Sequence, residues 1–197
     1  MARLREFDED KALDAAMARF WSHGFEATNV RELAAAMRIS IASLYNAFGD
    51  KHELFVRALE RYMDSATRER LARLEAALPP RQAIRRFFSE VIARSAEDKE
   101  RRGCFLINSA LEIAPHDARL GAEIAKRLGE VENFFLRCIA AGQSDGTIPA
   151  ERAPRDLARL LLGVLLGIRV LARVRPDRAL LEGVARPALG MLDRRTH

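Results

Sequence analysis

From Ser40 to Phe48 the chain reads Ser-Ile-Ala-Ser-Leu-Tyr-Asn-Ala-Phe, with the large apolar residues Leu44 and Phe48 four positions apart. On a helix that spacing turns both to one side. It leaves Ser40, Ile41, Ala42, Ser43, Tyr45 and Asn46 on or near the other side. Short side chains there let a backbone come close to base edges, where Ser43 can donate or accept and Ala42 or Ile41 can meet a thymine methyl. Thr28 and Asn29 precede this stretch at the start of another helical pattern, where exposed N–H groups and the helix dipole attract phosphate.

Catalytic chemistry finds little to work with. His23, His52, His116 and His197 are scattered, and HExxH, GxSxG, GxGxxG and P-loop patterns are absent. Glu112 and His116 stand at i and i+4, the spacing of an acid/base or metal pair, yet Pro115 breaks the helix that would align them. The expectation is a protein that is not an enzyme and has no metal site or cofactor. A helical adaptor, or an enzyme, without DNA binding is the alternative reading.

The elements that position these residues all read as helix, so the fold class expected is all-α. Leu13, Ala16, Met17, Phe20 and Trp21 give the first helix one apolar face from about Asp8 to His23, and Gly24 ends it. Val30, Leu33, Ala34 and Met37 repeat the spacing in a short second helix, with Asn29 to Glu32 as a capping box. Arg38-Ile39-Ser40 separates it from the third helix, for which Ser40 is the N-cap. The fourth opens at a capping box, Asp50 to Glu53, and reads as one piece to about Ala77 before Pro79-Pro80. Five more follow, at about 81–96, 103–114, 117–142, 155–174 and 177–192, making about nine in all. The organisation expected is a three-helix head at residues 1–49, the fourth helix at about 50–77 as connector, and a larger helical body spanning 50–197.

Two short amphipathic helices joined by a three-residue turn, with a longer packing helix in front, fit an αα-hairpin inside any bundle. They equally fit the helix-turn-helix that places one helix in the DNA major groove. The wording of the sequence separates the two. Gly24-Phe-Glu-Ala-Thr28-Asn29-Val-Arg31-Glu-Leu33-Ala34, Ile39-Ser40, and Ser43-Leu44-Tyr45-Asn-Ala-Phe48-Gly-Asp-Lys51-His-Glu53-Leu54-Phe55 closely resemble the DNA-binding head of the TetR family of bacterial repressors, over roughly residues 5–58. The rest resembles the family in architecture only.

The resemblance implies a homodimer whose heads grip a palindromic double-stranded operator and whose body binds a small-molecule effector, of unknown identity, that releases the DNA. Tyr45 matches the family's tyrosine, whose hydroxyl reaches the phosphodiester backbone, and Lys51 matches its phosphate-contacting lysine. Arg38 stands where many members have glycine. If that position is left-handed, arginine costs about 1 kcal/mol there, and its side chain is a further candidate to reach DNA. Many members also carry histidine or an aromatic near Asn46-Ala47, so those contacts do not transfer.

In the body, Phe87, Phe88, Phe105, Phe134 and Phe135 lie where the family places its effector cavity, and Asn108 shares the short helix with Phe105. Helical phenylalanine is more often plain core. Cys104 follows Arg101, Arg102 and Gly103 in the expected first turn of that helix, where dipole and arginines favour a thiolate. Its Gly-Cys stretch looks like that of family members that sense electrophiles and oxidants, which puts a reactive electrophile among the candidate effectors. Cys138 reads as core. Gly163 and Gly167 are four apart on a leucine-rich helix and, with Leu166, could let a partner helix approach closely.

The net charge is +5, but residues 1–60 carry 8 Lys/Arg against 10 Asp/Glu. DNA binding by the head must therefore rest on local placement, and the acidic Glu6, Asp8, Glu9 and Asp10 weaken non-specific affinity unless they lie away from the duplex. The charged N-terminal residues lack the apolar core of a signal peptide. The longest apolar run, Leu160–Ile168, is nine residues, about half a bilayer span. No membrane association is expected, and the two cysteines fit a cytoplasmic location.

Overall fold

The computed structural model describes residues 7–193, in ten α-helices and no strand. They are α1 Glu9–His23, α2 Val30–Met37, α3 Ile41–Phe48, α4 Lys51–Met63, α5 Glu69–Ala77, α6 Pro80–Glu97, α7 Phe105–Glu112, α8 Ala118–Ser144, α9 Pro154–Val174 and α10 Arg178–Gly190. The fourth helix of the sequence pattern is interrupted: Asp64–Arg68 is π-helical and joins α4 to α5. Asp8, Asn29, Ser40, Asp50 and Asp177 cap their helices by accepting a backbone N–H three residues on.

Packing divides the chain into two units. The first holds the described residues up to Thr67 together with Asn108–Ala125; the second holds Arg68–Ile107 and the described residues from Lys126 on. In the first unit α1 lies against both α2 and α4. Phe20, Phe25 and Phe55 form its centre, with Phe55 edge-on to Phe20 at 5.2 Å and to Phe25 at 5.1 Å between centroids. In the second unit α6 packs on α5, α9 and α10. Phe87, Phe88, Phe134 and Phe135 pack against one another at 5.3–5.8 Å between centroids in its core, mostly edge-on or tilted, with Phe88 stacked on Phe135. No helix among the described residues is long and apolar enough to cross a membrane.

Candidate nucleic-acid interface

Local caps set where α2 and α3 begin. Asn29 and Glu32 make a reciprocal box, each side chain meeting the other's backbone N–H at 3.0–3.1 Å. Ser40 accepts from Ser43 N at 3.0 Å and its hydroxyl lies 2.8 Å from that of Ser43. Between the helices Arg38 is left-handed, φ 56° and ψ 41°, and Ile39 N–H closes the turn onto the Ala34 carbonyl at 3.0 Å. An arginine therefore holds a left-handed position of the kind glycine adopts without strain.

Leu44 and Phe48 are buried, as are Leu33 and Met37, which turns the opposite face of α3 outward. Ile41 is 40% and Tyr45 50% exposed, and Ser40, Ala42 and Asn46 are exposed beside them, so the large and small side chains form one open face. Ser43 is half-buried. The far end of α3 is pinned by α4: Arg57 donates to the Ala47 carbonyl at 3.0 Å, lies 4.6 Å over the Phe48 ring and pairs with Glu9. Lys51, half-buried, rests its ammonium 4.2 Å from the Phe25 ring centroid.

Thr28 departs from the expectation of an exposed phosphate contact. It is wholly buried, its hydroxyl donates to the Gly24 carbonyl at 2.7 Å and its N–H to the Phe25 carbonyl at 3.3 Å. Both donors are spent inside the loop, so the Thr28 side chain shapes that loop and does not face phosphate. Asn29 keeps its place at the helix start.

The acidic residues near the N-terminus are neutralised locally. Arg61 clasps Asp14 with two bonds of 2.8 and 2.9 Å and reaches Asp10 at 2.8 Å, while Asp8 caps α1 and pairs with Lys11. Glu6 lies outside the described residues.

Two contacts had no signature in the sequence. Glu112, at the end of α7, accepts Glu26 N–H at 3.1 Å, and His52 Nε2 lies 2.8 Å from Asp117 Oδ2. The Leu120 N–H bond and the His52 ring hold the Asp117 carboxyl below its ordinary range. Glu112 thus serves the α1–α2 loop, and His116, its supposed i+4 partner, is exposed four residues on.

In the second unit, Phe87, Phe88, Phe105, Phe134 and Phe135 are all buried. Four of them fill space against each other. Phe88 also borders a cleft of about 320 Å³ between α6 and α10, shared with Ile92, Ala185, Leu189, Arg85 and Arg186. Asn108, half-buried, lies on α7 three residues after Phe105 and is counted with the first unit. Cys104 is half-buried and stands just before the first residue of α7, after a turn in which Arg101 and Gly103 have positive φ. Arg102 pairs with Glu100 at 2.9 Å. Cys138 is buried and its thiol is pushed up to about 12 by desolvation. Among the described residues no group of His, Cys, Asp and Glu gathers to hold a metal ion.

On α9 a Cβ at Gly163 or Gly167 would meet nothing within 4 Å among the described residues, so neither glycine is needed for packing against them. Leu160, Val170 and Val174 are exposed along the same stretch, Val174 by 69%, with Leu166 half-buried. Gly183, Pro187 and Gly190 line an open side of α10.

A capped, three-residue turn joining two short helices over one aromatic core, with the outer face of the second left open, defines a helix-turn-helix regulator. Residues 12–58 match the family model "Bacterial regulatory proteins, tetR family", and residues 80–188 match "Tetracyclin repressor-like, C-terminal domain". The chain belongs to the TetR family of bacterial transcriptional regulators. It is 29% identical over 194 residues to the uncharacterised HTH-type regulator YezE of Bacillus subtilis, covering 98% of this chain and all of the other. It is 30% identical over 172 residues to the HTH-type transcriptional repressor ComR of Escherichia coli, covering 87% and 82%. A structure of the TetR family regulator CifR, a cysteine mutant complexed with 26-base-pair operator DNA, superposes with a TM-score of 0.85 at 34% identity, covering 95% of this chain and 98% of that one.

Proposed function

We propose that this chain is a ligand-responsive repressor that holds a palindromic operator as a homodimer and releases it when the body binds an effector. The observation that carries the reading is the open face of α3. Large and small side chains that could have been buried are turned out together on a helix whose other side is fixed by Leu44, Phe48 and the Arg57 clamp. Ser40, Ile41, Ala42, Ser43 and Asn46 are assigned to base edges and the adjoining backbone. Asn29, Tyr45, Lys51 and Arg38 are assigned to phosphate. Functionally, residues 1–49 form the DNA-binding domain, the fourth helix connects, and 50–197 bind effector and partner. The dimer is assigned to α9 and α10, a reading supported by Gly163 and Gly167, where a Cβ would meet nothing within 4 Å among the described residues, and by the apolar stripe beside them.

The test is fluorescence anisotropy of duplexes selected from random sequence. A dimer binding a palindrome, with selectivity altered at one or two positions by Ser43→Ala and unaltered by Lys51→Ala, supports the reading. Binding indifferent to sequence or salt opposes it.

For the effector, a small molecule held in the body is the first reading and covalent modification of Cys104 the second. The second is supported by partial exposure of Cys104 at the start of α7. Release of DNA by a quinone or aldehyde from wild type and Cys138→Ser, but not from Cys104→Ser, distinguishes them.

A further inference from the structure

The geometry assigns Glu112 and Asp117, at the corner between α7 and α8, as positioning residues for the phosphate-facing parts of the head. This rests on the DNA-binding reading above and adds to it how those parts are held. The loop from Gly24 to Asn29 determines where the capped start of α2 points. Its outward N–H, that of Glu26, is taken by Glu112 Oε1 at 3.1 Å. Gly24 makes room for this: with φ at 83°, a Cβ there would lie 2.6–2.7 Å from both Glu112 carboxylate oxygens. Any side chain at position 24 would expel the carboxylate.

Five residues on, the same corner grips the start of α4. Asp117 accepts Leu120 N–H at 3.0 Å, which orients its carboxylate, and meets His52 Nε2 at 2.8 Å. Phe25 connects the two grips, its ring 5.1 Å from that of His52 and 4.2 Å from the Lys51 ammonium. The corner is itself anchored by Ile113 and Leu120, both buried, and closed by bonds from His116 and Asp117 N–H to the Ile113 carbonyl. Asn29 and Lys51, far apart in sequence, are thus set by one short segment.

The experiment compares wild type with Glu112→Ala, Glu112→Asp and Glu112→Gln by operator anisotropy across salt, with head unfolding followed by Trp21 fluorescence. Glutamine can still accept the Glu26 N–H, whereas aspartate keeps the charge and is one methylene too short. Alanine and aspartate are expected to weaken operator binding roughly tenfold, as for loss of a bond to a charged group. They should also flatten the log–log salt slope by about 1 to 2, one phosphate per head. Glutamine should stay within about twofold of wild type. If alanine prevents folding, the aspartate and glutamine pair carries the comparison. Wild-type affinity and slope in Glu112→Asp overturn the assignment while leaving the DNA-binding reading intact, and so does weakened binding with an unchanged slope and a destabilised head. Failure of wild type to bind any palindrome overturns both.

Discussion

Replacing Arg38 with glycine should move stability and DNA affinity in opposite directions. At φ 56° and ψ 41° the residue is in the left-handed region, which costs an L side chain about 1 to 2 kcal/mol. Glycine removes that strain but gives back about 0.5–1 kcal/mol as unfolded-chain entropy. The net expectation is a head more stable by about 0.5–1 kcal/mol. The turn's own bonds, Arg38 N–H to Ala35 and Ile39 N–H to Ala34, are backbone bonds and survive the change. If the Arg38 guanidinium meets phosphate, two contacts per dimer disappear and the salt slope should flatten by about 1.8. The chain has one tryptophan, Trp21, set edge-on to Tyr62 at 5.2 Å in the head. Its fluorescence in a urea titration therefore reports the head, where a gain of this size raises the midpoint by about 0.3–0.8 M. Anisotropy between 50 and 200 mM salt, or about that range, reads the slope. A destabilised head would refute the strain argument, and a more stable head with an unchanged slope would refute the phosphate contact.

Thr28→Val should destabilise the head by about 1–2 kcal/mol, since the Gly24 carbonyl loses its buried donor, without changing the salt slope; a changed slope would return Thr28 to the interface. Arg57→Met should lower the Trp21 urea midpoint and relax sequence selectivity together, because the Ala47 carbonyl bond and the ring contact at Phe48 are both lost; selectivity equal to wild type would show that α3 is held without the clamp. Gly163→Glu, checked by analytical ultracentrifugation, should give helical monomers that bind operator poorly, and retained dimers would move the interface off α9. The side-chain bonds from Arg137 and Arg68 keep Glu75 and Glu130 below their ordinary 4.5. Lowered folded values mean stability that is complete above that pH and is lost as pH falls through them. Acid titration followed by circular dichroism should therefore show the loss beginning below about 4.5, and less steeply in Arg137→Met. In native protein at pH 8 a thiol reagent should modify one cysteine per chain, Cys104, because burial holds Cys138 near 12; two rapid thiols would contradict the burial.

What could be read in the sequence was local. Caps at Asn29 and Ser40 and the terminator at Gly24 act over three or four residues, so α1, α2 and α3 were legible together with the inward turn of Leu44 and Phe48. The π-helical segment Asp64–Arg68 contains neither proline nor glycine, so nothing in its composition marks the change of register. At Thr28 sequence position alone does not tell the side chain's direction, because a hydroxyl at a helix start can turn back to a carbonyl four residues earlier as readily as outward. The grips of Glu112 on Glu26 and of Asp117 on His52 join residues 86 and 65 apart. Such a contact is a product of tertiary packing and leaves no periodic trace. At Gly163 and Gly167 the spacing was visible, but only the empty space around them separates an open face from packing within the chain.

The central claim is that a dimer reads a palindrome through α3 while phosphate contacts supply much of the affinity. Its most direct test is the salt dependence of binding to a palindrome selected from random sequence, measured beside a scrambled duplex. With about three or four phosphates neutralised per head, the log–log slope should be roughly −5 to −7. The palindrome should also be preferred by about a thousandfold or more. A slope near zero, or equal affinity for the scrambled duplex, would contradict the account.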